Sequence, residues 1–486
     1  MKRAAGAGSS AERSSEDVLE GARSSQDALE GARSPDALER TRAERRALLR
    51  DAVAIAVVYA AVCAGARAAG FDHVSDDDFS RVTIAQSFAH APRLDPSGTS
   101  WLPFPFWILG TVMAVLGRSL LVARGASIFL AAAAATTPYL VMRSLGIPRG
   151  RALLATAFAF GTPWLVWVGA ATVPESFTAS LTAAGILGLA AFRPNEHGKR
   201  SASRRALLSA LAIAVACLSR YEPWPVAAVL AATLAVRAVG TVRARRPLVA
   251  GLALACVIGP LLWMAWNAHA HDGPLHFFRR VSSFKRAIGD GATDTLDALL
   301  LYPGLLVTTR PELAIPVVFL LPSLRDPLVR RRWGIPLLCA AAQVAFLAYG
   351  NARDGAPAHH PERALLGTIV VLALFAVDVG MTKLRELATD GRALAAKAGA
   401  AFFGIAWVIS SVRGAEPPGR GPTEDRSEQI VRGAKLRADG TKALVVTPCA
   451  FEHFALVAAY GAPENVEVKP RTGELPSSGC PGVEVR

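Results

Sequence analysis

Apolar residues along this chain do not alternate with polar ones. They gather in blocks of roughly 15 to 25 residues with almost no charge, the length that crosses a hydrocarbon core about 30 Å thick. Such blocks fall near residues 49–66, 122–142, 152–169, 176–192, 205–219, 224–240, 248–267, 304–323, 334–350, 364–380 and 394–412. The pattern predicts an all-α polytopic membrane protein with about 11 transmembrane helices. It excludes a soluble globular enzyme, a coiled coil and a transmembrane β-barrel, whose strands would alternate at every second residue. A further block, Pro103–Leu116 (PFPFWILGTVMAVL), has only 14 residues before Gly117 and Arg118. It is short for a span, and its prolines and tryptophan suit an interfacial helix.

Charge decides how these blocks are threaded. Lys and Arg number 53 against 39 Asp and Glu, a net charge of +14. The basic residues sit mostly in short clusters between apolar blocks, so membrane orientation explains them better than nucleic-acid binding. If the N-terminus is cytoplasmic and Pro103–Leu116 does not cross, the five inner loops hold 20 Lys and Arg. If it crosses, all of these move outside, against the positive-inside rule. Eleven spans therefore leave the loops 67–121, 170–175, 220–223, 268–303 and 351–363, and the C-terminal tail, on the outer face.

Three segments follow. Residues 1–46 are polar and carry a ten-residue repeat, SSEDVLEGAR from Ser14, SSQDALEGAR from Ser24 and a decayed SPDALERTR from Ser34. They read as a disordered or weakly helical cytoplasmic tail, not a signal peptide. Residues 47–413 form the membrane domain. Residues 414–486 open with a Pro/Gly linker (EPPGRGP), then show a strand at 443–447, an amphipathic helix at 449–461 and a strand at 466–470, a small extracytoplasmic α/β unit. Cys63, Cys217, Cys256 and Cys339 lie in or beside apolar blocks and read as buried thiols. Cys449 and Cys480 lie in the tail, where a disulfide is permitted; two free thiols are the alternative. Neither a CxxC pair nor an HExxH signals zinc.

Chemistry is sought in outer loops with charges close to spans. The first carries FDHVSDDDFSRV, with Asp76, Asp77 and Asp78 in a row. Clustered carboxylates repel, so some become better bases or recruit a divalent cation (Mg or Mn, on Asp76 and Asp77); a solvated acidic turn or helix cap is the plainer alternative. Glu175 in ATVPES opens a span, where it also suits a helix N-terminus. SRYEPWP holds Arg220 and Glu222, a local ion pair beside interfacial aromatics. HAHDGPLHFFRRVSSFKRA sets Arg279, Arg280, Lys285 and Arg286 among aromatics, the pattern of an amphipathic surface helix able to hold a lipid phosphate. AHHPERALL contributes His359, His360, Glu362 and Arg363; two adjacent histidines diverge and make a poor metal site.

The order of these features, with SDDDF at 75–79, WLPF at 101–104, PES at 174–176, SRYEPW at 219–224, GPLHF at 273–277 and PERALL at 361–366, resembles the GT-C superfamily of polytopic glycosyltransferases. The nearest branch in layout is that of protein O-mannosyltransferases and lipid-A aminoarabinose transferases, and the resemblance covers about residues 50–380. It implies a hexosyltransferase that moves a sugar from a polyprenyl-phosphate donor to an acceptor hydroxyl on a glycan, lipid or protein, at the outer face of a bacterial inner membrane and among its lipids. The base falls to Asp76, Asp77 or Asp78, with the first two favoured, and Glu175 orients acceptor or base. Arg220, Arg280 and Arg363 are the donor-phosphate candidates. A polytopic transporter or flippase is the rival reading; it predicts mid-span charges and internal repeats, of which the sequence offers few and none. A non-catalytic scaffold with a solvated acidic loop is the third.

Overall fold

The computed structural model describes residues 35–195, 200–287, 294–353, 360–414, 416–418, 424–469 and 481–485. The repeat copies before Pro35, together with His359 and Cys480, lie outside these residues. The chain divides into two compact units, residues 1–54 and 55–486. Of the first, the described residues are helical and open α1, Pro35–Ala68. The helix thus includes residues 35–46 of the segment that the sequence assigns to a tail. Its first described turns, PDALERTRAERR, are rich in Ala, Leu, Glu and Arg, all strong helix formers.

In the second unit every apolar block is helical. After α1 come two helices of the predicted outer loop 67–121, α2 (Asp77–His90) and α3 (Phe104–Leu116), then α4 (Leu120–Ser144), α5 (Arg149–Phe160), α6 (Pro163–Ala170), α7 (Glu175–Ala190), α8 (Arg200–Cys217) and α9 (Pro223–Val239). Next are α10 (Arg246–Ala270), α11 (His276–Ala287), α12 (Thr295–Thr309), α13 (Pro311–Leu320), α14 (Pro327–Ala352), a 3-10 turn at Pro361–Leu365, α15 (Leu366–Thr389) and α16 (Ala393–Arg413). The chain is a multi-pass membrane protein. Among the described residues six helices are long and apolar enough to cross a bilayer, or eight if each of two bent pairs counts as one span. Eleven is not reached by that measure, because α7 and α9 are short, at 16 and 17 residues, and α8, at 18, carries Arg200, Arg204 and Arg205. The bent pairs are α5 with α6, at 71°, and α12 with α13, at 99°. The predicted straight spans 152–169 and 304–323 are therefore broken, at Pro163 and Pro311. Each proline lacks the amide hydrogen that would continue the preceding helix, and each instead starts a new one.

Two helices form the centre. Fourteen residues of α7 and fourteen of α15 are buried, and the two pack together. Small residues let the neighbours close in: a Cβ on Gly185 would meet Ile213 of α8 at 2.6 Å. Toward the far end of α15, Asp378 accepts hydrogen bonds from Arg151 Nη1, Arg332 Nη1 and Trp333 Nε1, each at 3.0 Å, and so joins α5, α14 and α15. At the opposite end, Glu175 opens α7 and Arg363 lies in the turn that leads into α15.

The tail contains α17 (Ser427–Ala438), β1 (Leu444–Thr447), α18 (His453–Tyr460), β2 (Val466–Val468) and β3 (Gly482–Val485). The sheet order is β2-β1-β3; Leu444 pairs with Val466 in parallel and with Val485 in antiparallel register. The sequence predicts β1, α18 and β2 but neither α17 nor β3. Cys449 is disulfide-bonded, and Cys63, Cys217, Cys256 and Cys339 are free and buried. The unit rests on α2 and α3: Ala455, Ala458 and Ala459 share a buried cluster with Phe79, Val82 and Ala85 of α2 and Met113 of α3.

Candidate functional site

The three consecutive aspartates do not act as one cluster. Asp76 precedes α2, and Asp77 and Asp78 are its first residues. Successive helical residues point about 100° apart, so the carboxylates diverge. Asp78 turns inward and is 2% exposed. Its Oδ2 accepts from the backbone N–H of Val74 (3.1 Å) and Ser75 (3.3 Å), and its Oδ1 from that of Thr172 (3.0 Å). It ties the segment between α1 and α2 to the loop before α7. Burial pushes its carboxyl above the ordinary range. Asp76 turns toward the tail, where Arg426 grips both oxygens, Nε to Oδ1 at 2.8 Å and Nη2 to Oδ2 at 2.9 Å. Asp77 keeps 44% of its side chain exposed, with Oδ2 3.6 Å from Nη2 of Arg363.

Around Asp77 the charges alternate. Arg220 Nη1 donates to Glu175 Oε1 at 2.5 Å, and its Nε donates to Glu222 Oε1 and Oε2 at 2.9 and 3.0 Å. Arg220 is thereby committed to two carboxylates. Arg363 is less engaged. Its Nε lies 3.7 Å from Glu175 Oε1, yet Nε and Nη1 are buried with no hydrogen-bond partner among the described residues. Arg81 follows Asp77 by four positions in α2, so the two share a helix face. Its guanidinium lies 4.4 Å from the Trp101 ring centre, a cation–π contact, and its buried Nε also has no partner. Burial pulls this guanidinium below its ordinary value. Glu175, Thr178, Arg220, Glu222, Gln343 and Arg363, among others, line a small pocket of about 20 Å³ where α7, α9, α14 and α15 meet.

Aromatic packing fixes the rim. Tyr221 donates to Ser100 O at 2.5 Å and accepts from Trp263 Nε1 at 3.1 Å. Phe277 of α11 stacks on it, ring centres 4.7 Å apart and 10° between planes. The predicted amphipathic helix is thus docked beside Arg220. Of its basic residues, Lys285 turns inward and donates to Asn351 Oδ1 at 2.9 Å.

Asp77, Glu175, Arg220 and Arg363 are therefore brought together. Asp76 and Asp78 are drawn to either side, and Arg280 is exposed on α11 and joins none of these ion pairs. Sequence reasoning passes over Arg81, although its four-residue spacing from Asp77 is the helical signal for a shared face. It also passes over Arg426, for which no local signal exists. Among the described residues no group of three or more His, Cys, Asp and Glu side chains is arranged to hold a metal ion.

No family model matches the chain, and no curated protein matches it. In fold it is similar to ArnT of Cupriavidus metallidurans in the apo state, a lipid A aminoarabinose transferase, with a TM-score of 0.53 and 13% identity over 87% of this chain and 90% of that one. It is also similar to the Archaeoglobus fulgidus oligosaccharyltransferase in complex with Zn and sulfate, with a TM-score of 0.50 and 12% identity over 86% of this chain and 62% of that one. This chain thus spans less than two thirds of the oligosaccharyltransferase. The fold is GT-C-like.

Proposed function

We propose that this protein is a membrane glycosyltransferase that moves a sugar, a hexose in our reading, from a polyprenyl-phosphate carrier to an acceptor hydroxyl at the outer face of a bacterial inner membrane. The observation that carries the reading is a half-exposed carboxylate, Asp77, 3.6 Å from a buried arginine, Arg363, that has unpartnered N–H groups. Those two groups meet the two needs of the reaction. The acceptor hydroxyl loses its proton to Asp77 as its oxygen bonds the anomeric carbon. The bond from that carbon to the phosphate oxygen breaks, and the electron pair leaves with the lipid phosphate. The charge that develops there is met by Arg363 and by Arg81, whose N–H groups await an acceptor. Arg220 holds Glu175 and Glu222 and acts through them rather than on the phosphate. Arg280, exposed on α11, faces lipid head groups.

A divalent cation fits these residues poorly. Both oxygens of Asp76 are held by Arg426, those of Asp78 by backbone N–H groups, and Asp77 already faces Arg363. A chelator is expected to leave turnover unchanged. The deciding experiment uses membranes containing the full chain and an undecaprenyl-phosphate-linked radiolabelled sugar. A transferase releases label from the carrier. Label that crosses the bilayer still attached to its carrier would make the protein a flippase instead.

A further inference from the structure

We propose that the C-terminal unit is a working part of the reaction centre, and that Arg426 is a positioning residue which holds the start of α2 through Asp76 and keeps Asp77 aimed at Arg363. The inference rests on the reading of Asp77 as the base. Its first support is the geometry of the pair. Two parallel bonds of 2.8 and 2.9 Å form the fork-to-fork contact that only arginine makes with a carboxylate. The arginine side chain is 11% exposed and the aspartate 23%, so water competes little for either.

The second support is what Asp76 does not do. It occupies the cap position of α2, where an aspartate ordinarily accepts a backbone N–H of the first turn. Here its side chain makes no such bond, and both oxygens are given to Arg426. The third is the stiffness of what carries Arg426. The residue immediately precedes α17, which closes tightly on α18: a Cβ on Gly433 would fall 2.2 Å from Leu456 O. In turn α18 is fastened to the middle of α2, where Gln86 Nε2 donates to Ala458 O at 2.7 Å. Arg118, just past α3, pairs with Glu464 at 2.7 Å.

Helix α2 is thus pinned on two sides by neighbouring carboxylates. Asp78 fastens it to the loop before α7, and Asp76 fastens it to the tail. Asp77 lies between the two pins and has a longer contact, the 3.6 Å ion pair with Arg363. With the tail-side pin gone, the start of α2 gains freedom, and Asp77 spends less time in reach of Arg363 and an incoming hydroxyl. A displacement of about 1 Å in a reacting group costs up to about 100-fold in rate.

The test uses the full chain in liposomes with an undecaprenyl-phosphate-linked radiolabelled sugar, and measures kcat and donor KM separately. Arg426→Gln should lower kcat by about 10- to 100-fold and move donor KM by less than about two-fold. Arg426→Lys, which keeps the charge but not the fork, should retain more activity than Arg426→Gln. The exchanged pair Asp76→Arg with Arg426→Asp should recover most of what Arg426→Asp alone loses. The proposal is overturned if Arg426→Gln keeps kcat within about two-fold of the parent, if the loss lies in donor KM, or if the exchanged pair is no better than Arg426→Asp. Should Arg426→Gln fail to fold, the lysine variant and the exchanged pair decide between the same outcomes. Asp77→Asn is run alongside. Activity lost on Arg426→Gln but kept on Asp77→Asn removes the base assignment and, with it, the aiming of Asp77, and so overturns the proposal together with the reading it rests on. The reverse removes the positioning role and leaves the base.

Discussion

Asp77 and Asp78 are neighbours in sequence, and replacing each by asparagine should damage different properties. The carboxylate of Asp78 accepts three backbone N–H groups, those of Val74, Ser75 and Thr172. Asparagine supplies one carbonyl oxygen. Its amide NH2 must then face either the Thr172 N–H or the N–H groups of Val74 and Ser75, donor against donor. Each buried donor left without an acceptor costs about 1–3 kcal/mol, and the bonds that remain lose their charge assistance. Burial already disfavours the ionised form of Asp78, which returns part of the loss when the charge is removed. A net destabilisation of about 2–4 kcal/mol follows. Asp77 is different. It is 44% exposed, with one ion pair at 3.6 Å, and such a pair contributes about 0–1 kcal/mol. Loss of a general base costs about 10²- to 10⁴-fold in turnover, or about 3–5 kcal/mol of barrier.

Asp78→Asn should therefore lower the thermal unfolding midpoint of the purified protein by several degrees, and its remaining folded fraction should turn over. Asp77→Asn should unfold like the parent and release label at least about 100-fold more slowly. Tryptophan-fluorescence melts and single-turnover label release, measured on the same preparations, give both quantities. The reasoning is refuted if the pattern inverts, with Asp78→Asn unfolding like the parent but inert. That outcome would make the buried carboxylate the base and Asp77 a solvated neighbour.

Two further outcomes are expected. Asp378→Ala strands Arg151, Arg332 and the Trp333 N–H around a site that is 2% exposed, and should cost about 3–5 kcal/mol, read as a lowered unfolding midpoint with no dependence on donor. Reporters fused at residue 197, in a predicted inner loop, and after Gly440, in the tail, should report opposite sides of the membrane; the same side for both would overturn the eleven-span threading.

What the sequence reveals of this protein follows the range of the forces involved. The apolar blocks are legible because bilayer thickness fixes their length, whatever they pack against. The breaks at Pro163 and Pro311 are less so, since a hydropathy window averages across a proline that a helix can either absorb as a kink or use as a new start. Helix α17 and strand β3 are set by partners elsewhere in the tail, and a four-residue strand such as GVEV carries little pattern of its own. The same division runs through the site. Glu175 and Arg363 are legible because each is a charge at the start of a buried helix, and neighbouring helix ends meet. Arg81 falls on the face of Asp77 through helix geometry alone. The roles within Asp76, Asp77 and Asp78 have no local signature. Asp78 is claimed by a residue 94 positions away and Asp76 by one 350 positions away, so three identical side chains acquire three different surroundings only after the chain has folded. Asp77 is singled out because its two neighbours are occupied.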